Sequence, residues 1–167
     1  TALSIMRLLP IPAAVIEGGR IVFHSEDLLS VPAEKMARVR GGKIAMIFQE
    51  PMTALNPVHK IGSQIFEVYM LHRPSMTKEE MRRETVQILD MVGIADPYKV
   101  LGLYPHHLSG GMRQRVMIAM VLAAKPDILI ADEPTTALDV TVQAQILELI
   151  KNLQQEYAMS VLLITQD

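Results

Sequence analysis

The chain has 167 residues, half of them apolar and a fifth charged, with a net charge of −2 and no cysteine. That is enough apolar material for a substantial core in one domain, or a domain with a subdomain, and the missing cysteines exclude disulfides and thiolate metal sites. The near-neutral balance, with Arg38, Arg40, Arg82 and Arg83 interleaved with acids, speaks against nucleic acid, and the longest apolar run, Val116 to Ala124, is nine residues against the roughly 20 of a membrane-spanning helix.

In chain order, Thr1 to Leu9 reads as an apolar helix and Gly18-Gly19 as a turn leading into a short strand over Arg20 to His24. Lys43 to Phe48 reads as a second strand. Met76 to Val92 has helical spacing, with Thr77 as a cap and Gly93 as the stop. Ser109 to Ala124 reads as a largely buried helix and Ile128 to Ala131 as a buried strand. Val140 to Gln155 reads as an amphipathic helix whose apolar face is Val142, Ile146, Leu149, Ile150 and Leu153. Ser160 to Thr165 then closes as another buried strand, and strand, long helix, strand predicts parallel pairing through a right-handed crossover. The organisation expected is a partial α/β core with a short antiparallel region over 1–51, a helical subdomain over 52–108, and the rest of the core over 109–167.

Two stretches carry chemistry. Ser109-Gly110-Gly111 opens a helix, and unpaired backbone N–H groups at a helix start, with the positive end of the dipole, favour phosphate oxygens. Asp132 and Glu133 follow the apolar run Ile128 to Ala131, at the carboxyl edge where doubly wound sheets bind ligands. A carboxylate there can hold Mg²⁺, and its neighbour can orient or deprotonate an attacking water. Asp139 reads as an N-cap before Val140. His106 and His107 are adjacent in sequence, which predicts side chains pointing apart and no transition-metal site. The twelve methionines, Met112 among them, read as core filler.

The block Leu108-Ser109-Gly110-Gly111-Met112-Arg113-Gln114, then Ile128 to Glu133, resembles the ATP-binding cassette ATPases over nearly the whole chain. Ala45 to Pro51 and Thr136-Ala137-Leu138-Asp139 match further blocks of that family in its order. Pro51 to Pro57, Tyr104-Pro105-His106-His107 and Glu133-Pro134-Thr135-Thr136 look most like the ATPase subunits of bacterial dipeptide and oligopeptide importers. The resemblance implies a P-loop NTPase (RecA-like) core with a mostly parallel sheet and an inserted helical subdomain, ATP and Mg²⁺ as cofactors, and residence at the cytoplasmic face of the inner membrane. It implies a second cassette and transmembrane permease subunits as partners, with no nucleic acid. Ser109, Gly110, Gly111 and Gln114 would meet nucleotide held by the second cassette, and Asp139 would couple the two sites at the seam. Asp132 would support Mg²⁺, Glu133 would polarise the attacking water, and Gln49 would touch metal or water and link the core to the helical subdomain.

Two departures from the family qualify that expectation. No G-x-x-x-x-G-K-[ST] loop occurs: the only Gly-Lys pair, Gly42-Lys43, is followed by Ile44 and has Ala37 at the first glycine's position. The chain therefore reads as a piece of a longer polypeptide, incomplete at both ends, beginning just after that loop's lysine and inactive by itself. At position 166, where the family has a histidine against the γ-phosphate, stands Gln166. Glutamine keeps a neutral hydrogen bond but not the imidazolium charge, so hydrolysis slower than with histidine is expected. A degenerate cassette serving only its partner's site, or a soluble cassette ATPase outside transport, would keep the same blocks.

Overall fold

The computed structural model describes residues 1–10, 12–48, 54–136 and 138–165. The chain opens with α1 (Ala2–Ile5), shorter than the helix expected over Thr1 to Leu9. Arg7 ends it by taking a left-handed backbone (φ 52°), and its guanidinium donates to the carbonyls of Val31 at 2.6 Å and Leu28 at 3.3 Å. A hairpin follows, β1 (Val22–Phe23) antiparallel to β2 (Glu26–Asp27). Its turn residues, His24 and Ser25, both have positive φ, as a two-residue hairpin of this twist requires. A short helix, α2 (Ala33–Val39), leads to β3 (Ile44–Ile47).

Next come the helices α3 (Ile61–His72), α4 (Lys78–Met91) and α5 (Pro97–Leu101), with a 3₁₀ turn at Pro105–His107. Thr77 caps α4 with a full capping box: its hydroxyl accepts from the Glu80 N–H, and Glu80 accepts from the Thr77 N–H at 2.7 Å. Gly93 stops that helix at φ 82°, as expected. Then follow α6 (Gly110–Ala123), β4 (Ile128–Asp132), α7 (Val140–Tyr157) and β5 (Ser160–Ile164).

The larger sheet has the order β3-β4-β5, parallel throughout, with Ile47 opposite Ala131 and Asp132 opposite Ile164. Alternate residues serve two cores, as the period of two demands. Ile44, Met46 and Ile130 pack with α1 and α2, whereas Ile47, Leu129 and Ala131 pack with the helices on the other face. Helix α6 is the shared wall, lying on β3 on one side and on α3 and α4 on the other. Ile146, Ile150 and Leu153 of α7 are buried, with Val142 and Leu149 half-buried on the same face. Burying each such aliphatic side chain stabilises by about 1.5–3 kcal/mol relative to exposure. β5 departs from the buried strand expected: Leu162 is 40% and Leu163 45% exposed. It is the edge of the described sheet, so it has a strand neighbour on one side only.

One contact ties the helical unit to the core. The imidazole of His72, at the end of α3, lies over the Gly41-Gly42 turn before β3. A Cβ at Gly41 would stand 2.9 Å from His72 Nε2, and one at Gly42 2.8 Å from Nδ1. Burial lowers the His72 pKa, which keeps the ring neutral where it meets the backbone.

Within the helical unit, Arg73 pairs bidentately with Glu84, its NH2 at 2.9 Å from Oε1, and its guanidinium sits 5.5 Å from the ring centre of buried Tyr69. Burial pushes the Tyr69 phenol up to about 12. The Arg73 hydrogen bond holds the Glu84 carboxyl below its ordinary 4.5. A carboxyl depressed in the folded state stabilises fully above its unfolded value and loses that contribution as pH falls through the folded one. Glu84→Gln is therefore expected to be less stable than the wild type at pH 7, with the gap closing as pH falls below about 4.5. Chemical denaturation across pH checks this; a gap unchanged at acid pH refutes it.

Candidate functional site

β4 delivers Asp132 and Glu133 to the carboxyl edge of the sheet, both half-buried. Asp132 is the last strand residue. Glu133 turns the chain away with φ 48°, a left-handed backbone that a long side chain adopts only when its surroundings hold it there. Its N–H donates to the Ile164 carbonyl of β5 at 2.9 Å. Asp132 has no ion pair among the described residues. A half-buried carboxylate free of a cation suits Mg²⁺, which takes one or two protein oxygens and completes its shell with phosphate and water. No group of three histidine, aspartate or glutamate residues could form an all-protein metal cage among the described residues.

The turn that follows is anchored on two helices. Gln114 Nε2, from α6, donates to the Pro134 carbonyl at 2.6 Å. Gln143 Nε2, from α7, donates to the carbonyls of Thr135 at 3.1 Å and Leu138 at 3.0 Å. Thr136 Oγ1 donates back to Glu133 Oε2 at 3.0 Å. Asp139 caps α7, accepting from the Val142 N–H at 3.0 Å, and is exposed.

The glycine block is a helix start. Ser109 caps α6, its Oγ accepting from the Met112 N–H at 3.3 Å, and Ser109 and Gly110 are exposed. Gly111 packs closely on α7: a Cβ there would lie 3.2 Å from Val142 Cγ1, a tight contact. Met112 is half-buried against the core, in keeping with its reading as filler. Gln114 is not at the surface with the residues it was grouped with. Its side chain is fully buried, with Oε1 unpartnered among the described residues and Nε2 donating to the Pro134 carbonyl, so in this chain it faces the interior. The reason is periodicity: Gln114 lies four residues before the fully buried Ile118 and so shares the core-facing side of α6. Arg115 bridges the helical unit and the core, donating to the Val92 carbonyl at 2.5 Å and to Gln145 Oε1 at 3.1 Å.

His106 and His107 do not point apart. Their ring centres are 4.2 Å from each other, with Tyr104 at 5.6 and 5.9 Å. The tight 3₁₀ turn brings the rings together, and His107 Nδ1 accepts from the Tyr104 N–H at 3.2 Å. Gln49 and Gln166 lie outside the described residues, as does the first half of the Glu50 to Pro57 segment, residues 50–53. Thr136 and Gln143 were not assigned a role from sequence. A signal for Thr136 was present: a hydroxyl residue three positions after an acid in a Pro-containing turn is placed to bond back to it.

A parallel sheet with helices on both faces, carrying acids at a strand end and a glycine-opened helix, is the α/β architecture of the P-loop NTPases. The chain belongs to the ABC transporter family, whose model matches residues 1–136. It is 57% identical over its whole length to the peptidoglycan transport ATP-binding protein YejF of Agrobacterium fabrum, covering 30% of that protein. It is likewise 52% identical to the oligopeptide transport ATP-binding protein OppD of Bacillus subtilis, covering 46%. Among solved structures it resembles the ATP-binding cassette MJ0796 in its dimeric post-hydrolysis state bound to ADP and Pi, with a TM-score of 0.77 and 29% identity over 90% of this chain and 64% of that one. The chain thus spans from under a third to about half the length of these curated relatives.

Proposed function

We propose that the protein is the ATP-hydrolysing subunit of an importer for peptides or related small solutes. The observation that carries this reading is the acid pair at the end of β4, with Glu133 fixed by β5 and followed by a turn anchored on α6 and α7. In this reading Glu133 polarises the water that attacks the γ-phosphate of ATP in line. Asp132, with Gln49, would hold Mg²⁺, which when bound screens the phosphate charge. Gln166 would donate a neutral hydrogen bond to the γ-phosphate. Ser109, Gly110 and Gly111 present N–H groups to nucleotide bound by a second cassette, and Asp139 lies at the seam between the two. Gln114 serves this arrangement from inside, by tying the glycine-opened helix to the turn after Glu133.

The relatives' names as oligopeptide and peptidoglycan transport proteins support a peptide-like solute. No described helix is long and apolar enough to cross a membrane. In this reading separate permease subunits form the transmembrane path, with this subunit at the cytoplasmic face. A cleft of about 400 Å³ on the helical unit, lined in part by Asn56, His59, Leu71 and Met120, supports docking of a permease segment there. Exposed Val58, Met70 and Leu71 give that region an apolar surface. These residues contain no lysine loop for the β- and γ-phosphates, so by themselves they are not expected to turn over ATP. The complete protein, reconstituted with its permease subunits in vesicles, should hydrolyse ATP faster when peptide is supplied and should move that peptide. Hydrolysis that responds to DNA or ribosomes but not to any peptide would reject the importer reading.

A further inference from the structure

We propose that Thr136 is a positioning residue for the Glu133 carboxylate, resting on the reading of Glu133 as the group that polarises the attacking water. Glu133 has a long side chain on a left-handed backbone (φ 48°), and its N–H is tied to the sheet through Ile164. The Thr136 hydroxyl donates to the Glu133 carboxylate, 3.0 Å from Oε2, a bond that restrains the side-chain rotamer. The Thr136 hydroxyl has a single proton. The competing acceptor, the Glu133 carbonyl, is at 3.4 Å, so the shorter, charge-assisted bond to the carboxylate takes it.

The hydroxyl is placed by design of the turn rather than by packing. Thr136 is exposed, so it fills no core. The carbonyls on either side of it are held: Pro134 by Gln114 from α6, Thr135 and Leu138 by Gln143 from α7, and Thr135 also by the Leu138 N–H at 3.0 Å. A rigid turn that carries an exposed hydroxyl back onto a carboxylate is how a supporting residue fixes a reacting group without touching substrate.

The test uses the complete protein with its permease, comparing Thr136→Val, which keeps the shape and removes the hydroxyl, with Thr136→Ser, which keeps the hydroxyl. Thr136→Val is expected to lower kcat about tenfold while KM for ATP stays within about twofold, and Thr136→Ser to restore kcat. On a Glu133→Gln background, Thr136→Val should have no further effect, since the residue acts through Glu133. Wild-type kcat in Thr136→Val, a serine variant as slow as the valine one, or a further tenfold loss in the double variant each overturns the proposal. If Glu133→Gln itself keeps wild-type turnover, the reading of Glu133 falls and the role of Thr136 falls with it. A dead Glu133→Gln beside a normal Thr136→Val refutes the Thr136 role alone.

Discussion

Glu133→Gln in the complete protein should lower the rate of ATP hydrolysis by about 100- to 10,000-fold while ATP binding stays within a few-fold of the wild type. The amide keeps the volume and one acceptor oxygen, so Thr136 retains a partner and the turn to Leu138 its hydrogen bonds. Only the basic oxygen that takes up or orients the water's proton is lost. The effect therefore falls on kcat and not on affinity, which is the signature of an interaction made in the transition state. Single-turnover hydrolysis beside equilibrium nucleotide binding separates the two. Near-normal hydrolysis would mean that another group handles the water, and the acid pair would keep a metal-holding role at most.

Leu122→Ala has the largest effect expected on stability. Leu122 is fully buried near the end of α6, the wall shared by the helical unit and the sheet. Removing its side chain leaves a cavity between two bodies that cannot both close over it, at a cost of about 2–5 kcal/mol. Met120, on the same helix but half-buried beside the cleft of the helical unit, is the control. Met120→Ala should cost clearly less, because solvent already reaches the site. Chemical denaturation of both variants decides it: equal losses would show that α6 is not the wall described here.

The core of the molecule was legible in sequence wherever hydrophobic period and end signals agreed. Thr77, Glu80 and Gly93 bound α4 where a capping box and a glycine stop predict, and Ser109 and Asp139 cap the helices they precede. The strands β3 and β4 follow from short apolar runs buried on both faces. What escaped depended on tertiary context. Helix α1 stops early because Arg7 finds carbonyls 21 and 24 residues away, which no local pattern reveals. β5 reads as a buried strand by composition, yet its exposure is decided by how many neighbours the sheet gives it.

The site shows the same division. Asp132, Glu133, Ser109, Gly110 and Asp139 stand at element ends that residue order alone can find. Gln114 needed the helix's rotation to be known, since a motif names residues without saying which way they face. Gln143 gave no such signal, because its bonds to the Thr135 and Leu138 carbonyls exist only once the turn has formed. The close His106-His107 ring pair is a further case: adjacency predicts divergence in extended chain, and the 3₁₀ turn reverses it.

The open flank of β5 bears on how this stretch of polypeptide behaves away from its surroundings. A strand with one edge unpaired among the described residues, two leucines in contact with water and no proline is a template for another chain, and natural sheets guard such edges with charge or cover. Ser160 to Ile164 contains no charged residue at all. Handled alone at high concentration, these residues invite self-association through that flank before their own unfolding sets in.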